Sequence, residues 1–378
     1  GSLLSIIDMT KTASGGRLLR QWLLHPLHDL KKIADRQSAV SEIKSAVNLR
    51  TRLPEIFESV LDLERLLARL SVGSGSARDI LGIALSLKVI EPVAELLRAA
   101  KSALLASSAL ELQDLSAVIL LREKLLSSIV ENPPLSIKDG GIIKDGIHAE
   151  LDELRAISSS GKDFIQKLQQ QEIEKTRIQS LKIRYNQVFG YYIEITKANL
   201  NRVPAEYIRK QTTSNAERFI TPELKEYEEK ILGAETKIKE LEYTLFIKLR
   251  EEVIAAAREI QRAAKVFAMQ DALLSLALGA EKHSYVMPKV VDAGEPLIIK
   301  NGRHPVVEFL APGQFVPNDV LLSEKNRVIL LTGPNMGGKS TYLRQTALIA
   351  LLAHIGSFVP ADEAQVPLTD RIFTRIGA

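Results

Sequence analysis

Gly333-Pro334-Asn335-Met336-Gly337-Gly338-Lys339-Ser340 places glycines, a lysine and a hydroxyl at the spacing G-x-x-x-x-G-K-S. Glycines let backbone N–H groups converge on an anion, a helix starting here adds its partial positive end, and Lys339 supplies a full charge. Ser340 offers a hard oxygen ligand to Mg²⁺. The chemistry implied is the grip of a nucleoside triphosphate, ATP or GTP. A glycine-rich turn with a chance lysine is the competing reading, and the flanks weigh against it. Val328-Ile329-Leu330-Leu331 reads as a short, fully buried strand, and Thr341 to Leu352 has the make-up of a helix.

A second concentration of chemistry is electrostatic. Between Lys182 and Arg218 there are seven basic residues (Lys182, Arg184, Lys197, Arg202, Arg209, Lys210, Arg218) against Glu194, Glu206 and Glu217, so this short segment equals the +4 of the whole chain. Such a cluster is either a solvated face or a surface for phosphate backbones. None of the six histidines sits at metal-ligand spacing, and no nucleophile, histidine and acid set is legible. The absence of cysteine excludes disulfides and thiolate metal sites.

Periodicity sets the helices and strands around these residues. Residues 3 to about 130 read as consecutive amphipathic helices, for example Gly16 to Leu24 closed by His25-Pro26, and Asp62 to Leu70 closed by the turn at Gly73 to Ser76. Breakers from Glu131 to Gly146 mark a long connection. Helical pattern resumes from about Ile147 to Gln179, roughly 50 Å of helix at the standard rise. A second long helix opens with Thr221 as N-cap and Pro222 in its first position, and its pattern runs on towards Asp271.

Between the two lies a β-hairpin, Leu181 to Tyr185 and Tyr191 to Thr196. The basic cluster therefore sits on a β insert at the tip of two long antiparallel helices. After Lys282, short apolar segments divided by Pro and Gly open an α/β nucleotide-binding region. At 378 residues with 46% hydrophobic and 5% aromatic content, two or three domains are expected, mainly helical. The longest apolar run, Thr346 to Val359, falls short of the ~20 residues of a membrane span, so a soluble, non-membrane protein is expected. The chain begins at Gly1 without methionine and ends soon after the phosphate loop, so it reads as a piece of a longer one.

The phosphate loop carries Pro-Asn-Met inside it, far narrower than the general motif, and it closely resembles the MutS family of DNA mismatch-repair ATPases. The resemblance continues in Gly302 to Glu308, Phe315 to Asp319, Ala353 to Ala361 and Asp370 to Gly377, and upstream in Phe189 to Ile193 and Asn215 to Glu228. Thr10 to Pro26 and Asp62 to Asp79 are also similar, so nearly the whole chain is covered.

The fold this implies is mainly α and multidomain: a helical core (1–146), lever helices (147–180 and 240–282), a small β-containing clamp (181–239) that crosses duplex DNA, and the first part of an ATPase domain (283–378). By the resemblance, Gly333, Pro334, Asn335, Met336, Gly337, Gly338, Lys339, Ser340 and Thr341 hold ATP phosphates and, through Ser340, Mg²⁺, while Phe315 lies against the adenine. Lys197, Arg209, Lys210 and Arg218 are the candidate phosphate contacts to double-stranded DNA. A homodimer of the full-length protein, a MutL-type partner and a bacterial cytoplasmic, nucleoid-associated location are also implied.

The departures bear on activity. The family's mismatch wedge is a Phe-x-Glu motif, and no Phe here is followed two residues later by Glu. The acidic strand end that polarises water and the Ser-rich signature are expected beyond Ala378, so no catalytic residue is assigned and the isolated chain is expected to hydrolyse little or no ATP. Asp362-Glu363 imitates the acidic pair, but Pro360 precedes it and no apolar strand leads in. Competing readings are a family relative acting in recombination or ribosome rescue, a coiled-coil chromosome-maintenance ATPase, and a small-molecule kinase. Chromosome-maintenance proteins place the loop before the coil, and a kinase needs no such helical block.

Overall fold

The computed structural model describes residues 2–186, 190–334 and 337–374. The chain is mainly helical with two four-stranded sheets. It forms two compact units, one of residues 1–75, 79–124 and 253–378, the other of 76–78 and 125–252.

Among the described residues, the first third is helical: α1 (Leu3–Ile7), α2 (Ala13–Leu24), α3 (Leu30–Ser45), α4 (Val47–Phe57), α5 (Leu63–Ser71), α6 (Ala77–Leu87), α7 (Ile90–Leu97), α8 (Ala103–Gln113) and α9 (Ser116–Ser128). Helix α5 shows why they form. Asp62 accepts from the Arg65 amide as N-cap, Glu64 lies in the first turn and Arg69 in the last, and Leu63, Leu66, Leu67 and Leu70 are buried. That spacing puts one stripe inward.

In the second unit, α10 (Ala149–Thr176) and α11 (Pro222–Ala255) flank a sheet of β1 (Lys182–Asn186), β2 (Gly190–Thr196), β3 (Ile208–Thr212) and β4 (Ala216–Ile220), ordered β1-β2-β4-β3 and antiparallel throughout. Helix α10 is about 42 Å long by its 28 residues, shorter than its sequence pattern suggests, because Arg177 adopts a left-handed conformation (φ 56°) and ends it. Thr221 Oγ1 accepts from the Leu224 amide at 3.2 Å, capping α11 as its sequence implies.

Arg155 of α10 pairs with Glu242 of α11, and Phe164 stacks on Tyr227 at 3.4 Å, so the partners run in opposite directions and the helices are antiparallel. The sheet closes the end where Ile165, Leu168, Leu224 and Ile231 meet Ile193, Ile195 and Phe219 in one apolar cluster. Buried Glu172 accepts from the Tyr207 hydroxyl, and buried Glu228 accepts from the Tyr191 amide at 2.8 Å, joining sheet to helices.

The first unit is built on α12 (Ala257–Lys282), which packs against α1 to α5 and α8. By length and composition it could cross a membrane, yet 83% of its most apolar 18-residue window is buried within the protein. Its Asp271 is fully buried and accepts from the Lys11 and Thr12 amides and the Thr12 hydroxyl, tying the N-terminal segment down. The pattern expected to run from Thr221 towards Asp271 is in fact two helices. It breaks at Ala256 (φ −89°, ψ 10°), where no Pro or Gly warns of it and amphipathic α11 gives way to the buried α12.

The remaining residues of this unit form a sheet of β5 (Lys289–Val291), β6 (Leu297–Gly302), β7 (Asn318–Leu322) and β8 (Glu363–Pro367), ordered β5-β8-β6-β7, with β5 and β8 parallel and the other pairs antiparallel. Helices α13 (Pro305–Leu310) and α14 (Lys339–His354) accompany it. The strand expected over Val328 to Leu331 is absent. Residues 326–334 have no regular structure, and Val328 and Leu330 are 83% and 87% exposed. A strand buried on both faces needs neighbours to take its amides and carbonyls, and no described strand pairs with this segment.

Candidate nucleotide pocket and basic sheet face

The phosphate loop leads directly into α14, whose N-cap is Gly338 at φ +79°. A side chain there would be strained by the backbone alone, since nothing lies within 4 Å of its missing Cβ. No side chain caps this terminus, so the first-turn N–H groups remain open to an anion. The Lys339 ammonium donates to the carbonyls of Gly333 and of Pro334 (2.7 Å), folding back over the loop. A phosphate would exchange these neutral acceptors for charged ones.

A cavity of about 560 Å³ opens in front of this terminus, lined by Phe315, Gly337, Gly338, Lys339, Thr341 and Tyr342 among others, with Val307 and Ala311 on the side of α13. The structure thus brings the expected base-side aromatic and part of the loop to one pocket. Ser340 lies on the wall of a second, larger cavity of about 1030 Å³, while Gly333 and Pro334 contribute through their carbonyls. Asn335 and Met336 lie outside the described residues.

Two contacts not foreseen from the sequence hold the base side. Asn318 donates from Nδ2 to the Val316 carbonyl at 2.8 Å, and the Tyr342 hydroxyl donates to the Asp319 carbonyl at 2.9 Å. The first folds the segment after Phe315 on itself, and the second links it to the first turn of α14. The Thr-Tyr pair after the loop was the available signal, but a hydroxyl's partner on a distant strand has no periodicity to betray it.

Both ends of this region use neutral histidines. His304 Nδ1 accepts from the Val306 and Val307 amides, capping α13, and burial holds its pKa below the usual value. His354, at the end of α14, bonds the Ala350 carbonyl through Nδ1 at 2.7 Å while Nε2 accepts from the Thr369 amide at 3.0 Å, and burial lowers its pKa too. A protonated ring would lose its acceptor. Each ring binds protons more weakly folded than unfolded, so the stability it contributes is complete above the unfolded value of about 6.5 and is lost as pH falls below it. Thermal melts across that range should show falling stability in acid, with a shallower dependence for His354→Gln; an unchanged pH profile would contradict the neutral assignment.

In the other unit, the basic residues divide. Lys197 and Lys210 are exposed and have no ion pair among the described residues. Lys210 is the residue skipped where β3 and β4 change register between Arg209 and Gln211, so a bulge carries it. Arg209 makes a long 3.5 Å pair with Glu217 and stays 64% exposed. Arg218 is held within the sheet: it stacks 4.5 Å over the Tyr192 ring, donates to Gln211 Oε1 at 2.6 Å and lies 3.6 Å from Glu194. Arg184, not among the four candidates, shares this face by register and also pairs with Glu194. The alternation of β1 and β2 was the signal for it.

A chain that joins a phosphate loop to a helical body and a basic antiparallel sheet defines a loop-bearing protein built to carry a separate charged module. Family models place it further: residues 1–277 match one described as MutS domain III and residues 329–378 one described as MutS domain V. The chain belongs to the MutS family of DNA mismatch-repair proteins. It is 51% identical over 382 aligned residues to the DNA mismatch repair protein MutS of Myxococcus xanthus, and 50% identical over 379 to that of Desulfitobacterium hafniense. All of this chain is covered in both cases, against 42% and 44% of those proteins, so it spans less than half the length of these curated relatives.

Proposed function

We propose that this chain is the part of a mismatch-repair ATPase that grips duplex DNA and carries the phosphate loop. On this reading residues 1–146 are the helical core, 147–180 and 240–282 the levers, 181–239 the clamp and 283–378 the first part of the ATPase domain. The whole protein would bind mismatched duplex DNA as a homodimer, couple it to ATP binding and hydrolysis, and hand on to a MutL-type partner in the bacterial cytoplasm. The observation that carries the reading is the combination, in one chain of this family, of an uncapped loop-helix terminus with Lys339 beside it and a sheet that exposes Lys197, Arg209 and Lys210.

The residues present suit ATP with Mg²⁺. Open amides and Lys339 would take the phosphates, Phe315 the base, and Ser340, whose hydroxyl has no hydrogen bond among the described residues, would offer the metal its oxygen. Bound Mg²⁺ would supply charge neutralisation at the terminal phosphates.

The DNA side is tested by salt. The connection from β2 to β3 is a six-residue 3-10 helix (Lys197–Arg202), too short to read a groove, so affinity should come from phosphates and be nearly equal for matched and G·T-mismatched duplexes. Log affinity should fall with log salt at about −0.9 per phosphate neutralised. Single alanine substitutions at Lys197, Arg209 or Lys210 should each flatten that slope by about one unit without changing sequence preference. A fluorescence titration that finds the slope unmoved by all three would return the cluster to a solvated face, and a clear mismatch preference would place a reader within this chain.

A further inference from the structure

We propose that Glu194 limits the phosphate affinity of the sheet's outer face by holding Arg184 in an ion pair that a nucleic-acid backbone must displace and by setting a carboxylate beside Arg218; the inference rests on the reading of this unit as a duplex-binding element. Antiparallel register sets Glu194 directly between Lys182 on β1 and Arg218 on β4, so the three side chains share one face, opposite the one that carries Ile193 and Ile195 into the apolar cluster. Arg184, two residues along β1, lies on the same face.

Each carboxylate oxygen takes one arginine. Arg184 Nε is 3.4 Å from Oε1, and Arg218 Nε is 3.6 Å from Oε2. The Glu194 and Arg218 side chains are only 22% and 21% exposed, so water and salt screen this pair less than a surface one, whereas Arg184 is 52% exposed. Arg218 is also fixed by Tyr192 and Gln211 and stays in place whatever Glu194 does. Arg184 has no other ion-pair partner among the described residues, so it is the one Glu194 restrains.

A carboxylate at the centre of a basic face also repels an approaching phosphate. The sheet is therefore attractive at the β3 bulge that carries exposed Lys210 and damped on β2 at Glu194. Such damping suits a surface meant to hold DNA without binding every duplex tightly, because the phosphate contribution is blind to sequence.

The experiment uses the whole chain and a fluorescein-labelled, fully matched duplex across a salt series. Glu194→Gln should bind about tenfold tighter with a slope steeper by about one unit, the worth of one freed phosphate contact. Glu194→Asp, which keeps the charge, should stay near the wild type. Arg184→Gln should weaken the Glu194→Gln protein clearly and the wild type little, the coupling expected of residues in contact. Glu226→Gln, which removes the same charge from α11 where it pairs with Lys230, sets the background. A gain from Glu194→Gln no larger than that of Glu226→Gln, or an Arg184 effect independent of Glu194, overturns the proposal. A wild type that binds no duplex even at low salt refutes instead the DNA reading on which it rests.

Discussion

Lys339→Ala should lower the affinity for magnesium nucleotide by about a hundredfold, the equivalent of roughly 3 kcal/mol for a charged hydrogen-bonding group lost from a phosphate site. The reasoning is geometric. The Lys339 ammonium already lies against the loop, within reach of the Gly333 and Pro334 carbonyls, and those contacts are neutral and exposed. Their loss costs the loop itself little, whereas a triphosphate would lose its only lysine partner in the loop. Fold and melting temperature should therefore stay near those of the wild type while calorimetric binding of ATP weakens by that factor. Equal affinity in the two proteins would mean that the loop does not hold phosphate. A drop in melting temperature as large as the drop in affinity would mean that Lys339 is a structural brace.

The second large effect is on stability. Glu242 is completely buried on α11, pairs with Arg155 of α10 and accepts from the Ile142 amide at 3.3 Å. Arg155 in turn donates to the Ile143 carbonyl at 2.8 Å, so one buried carboxylate ties both helices to the connection before α10. Removing the carboxylate leaves the Ile142 amide unmet and takes from Arg155 its one buried acidic partner, leaving it Asp145 and the Ile143 carbonyl, so Glu242→Ala should cost about 3 kcal/mol. The molecule offers two reporters. Trp22, the sole tryptophan, belongs to the unit without Glu242, and six of the eight tyrosines lie in the unit that contains it. In urea, the tyrosine transition should move to lower concentration while the tryptophan transition holds. A shift below that of an ordinary surface substitution would show that the pair is compensated elsewhere.

What was legible in the sequence was what local rules encode. Asp62 before a Leu stripe, Thr221-Pro222 at a helix start and alternation around Tyr192 each specify an element within a few residues of themselves. The phosphate loop was legible for the same reason, its glycines and lysine being adjacent in sequence. The strand at Val328 to Leu331 was not, since apolarity states only that a segment can be buried, and pairing depends on neighbours elsewhere. The break at Ala256 was silent because alanine is the best helix former and nothing local ends a helix there. Arg218 and Lys210 looked equivalent as charges. A register shift of one residue gives one to the bulge and the other to Tyr192, Gln211 and Glu194, and only the pairing of β3 with β4 decides which.

Helix α14 starts at the phosphate loop, and its far end is bonded as well. The His354 carbonyl accepts from the Leu27 amide at 3.0 Å, and the next carbonyl, of Ile355, accepts at 2.7 Å from Arg36, whose buried guanidinium lies 3.6 Å over Trp22. Sixteen residues make a strut of about 24 Å. A strut fastened at both ends transmits an axial load without bending. A ligand that drew the first turn of α14 towards itself would thus pull on α3 and on the corner after α2, and stiffness, more than contact, would carry that pull into the helical body.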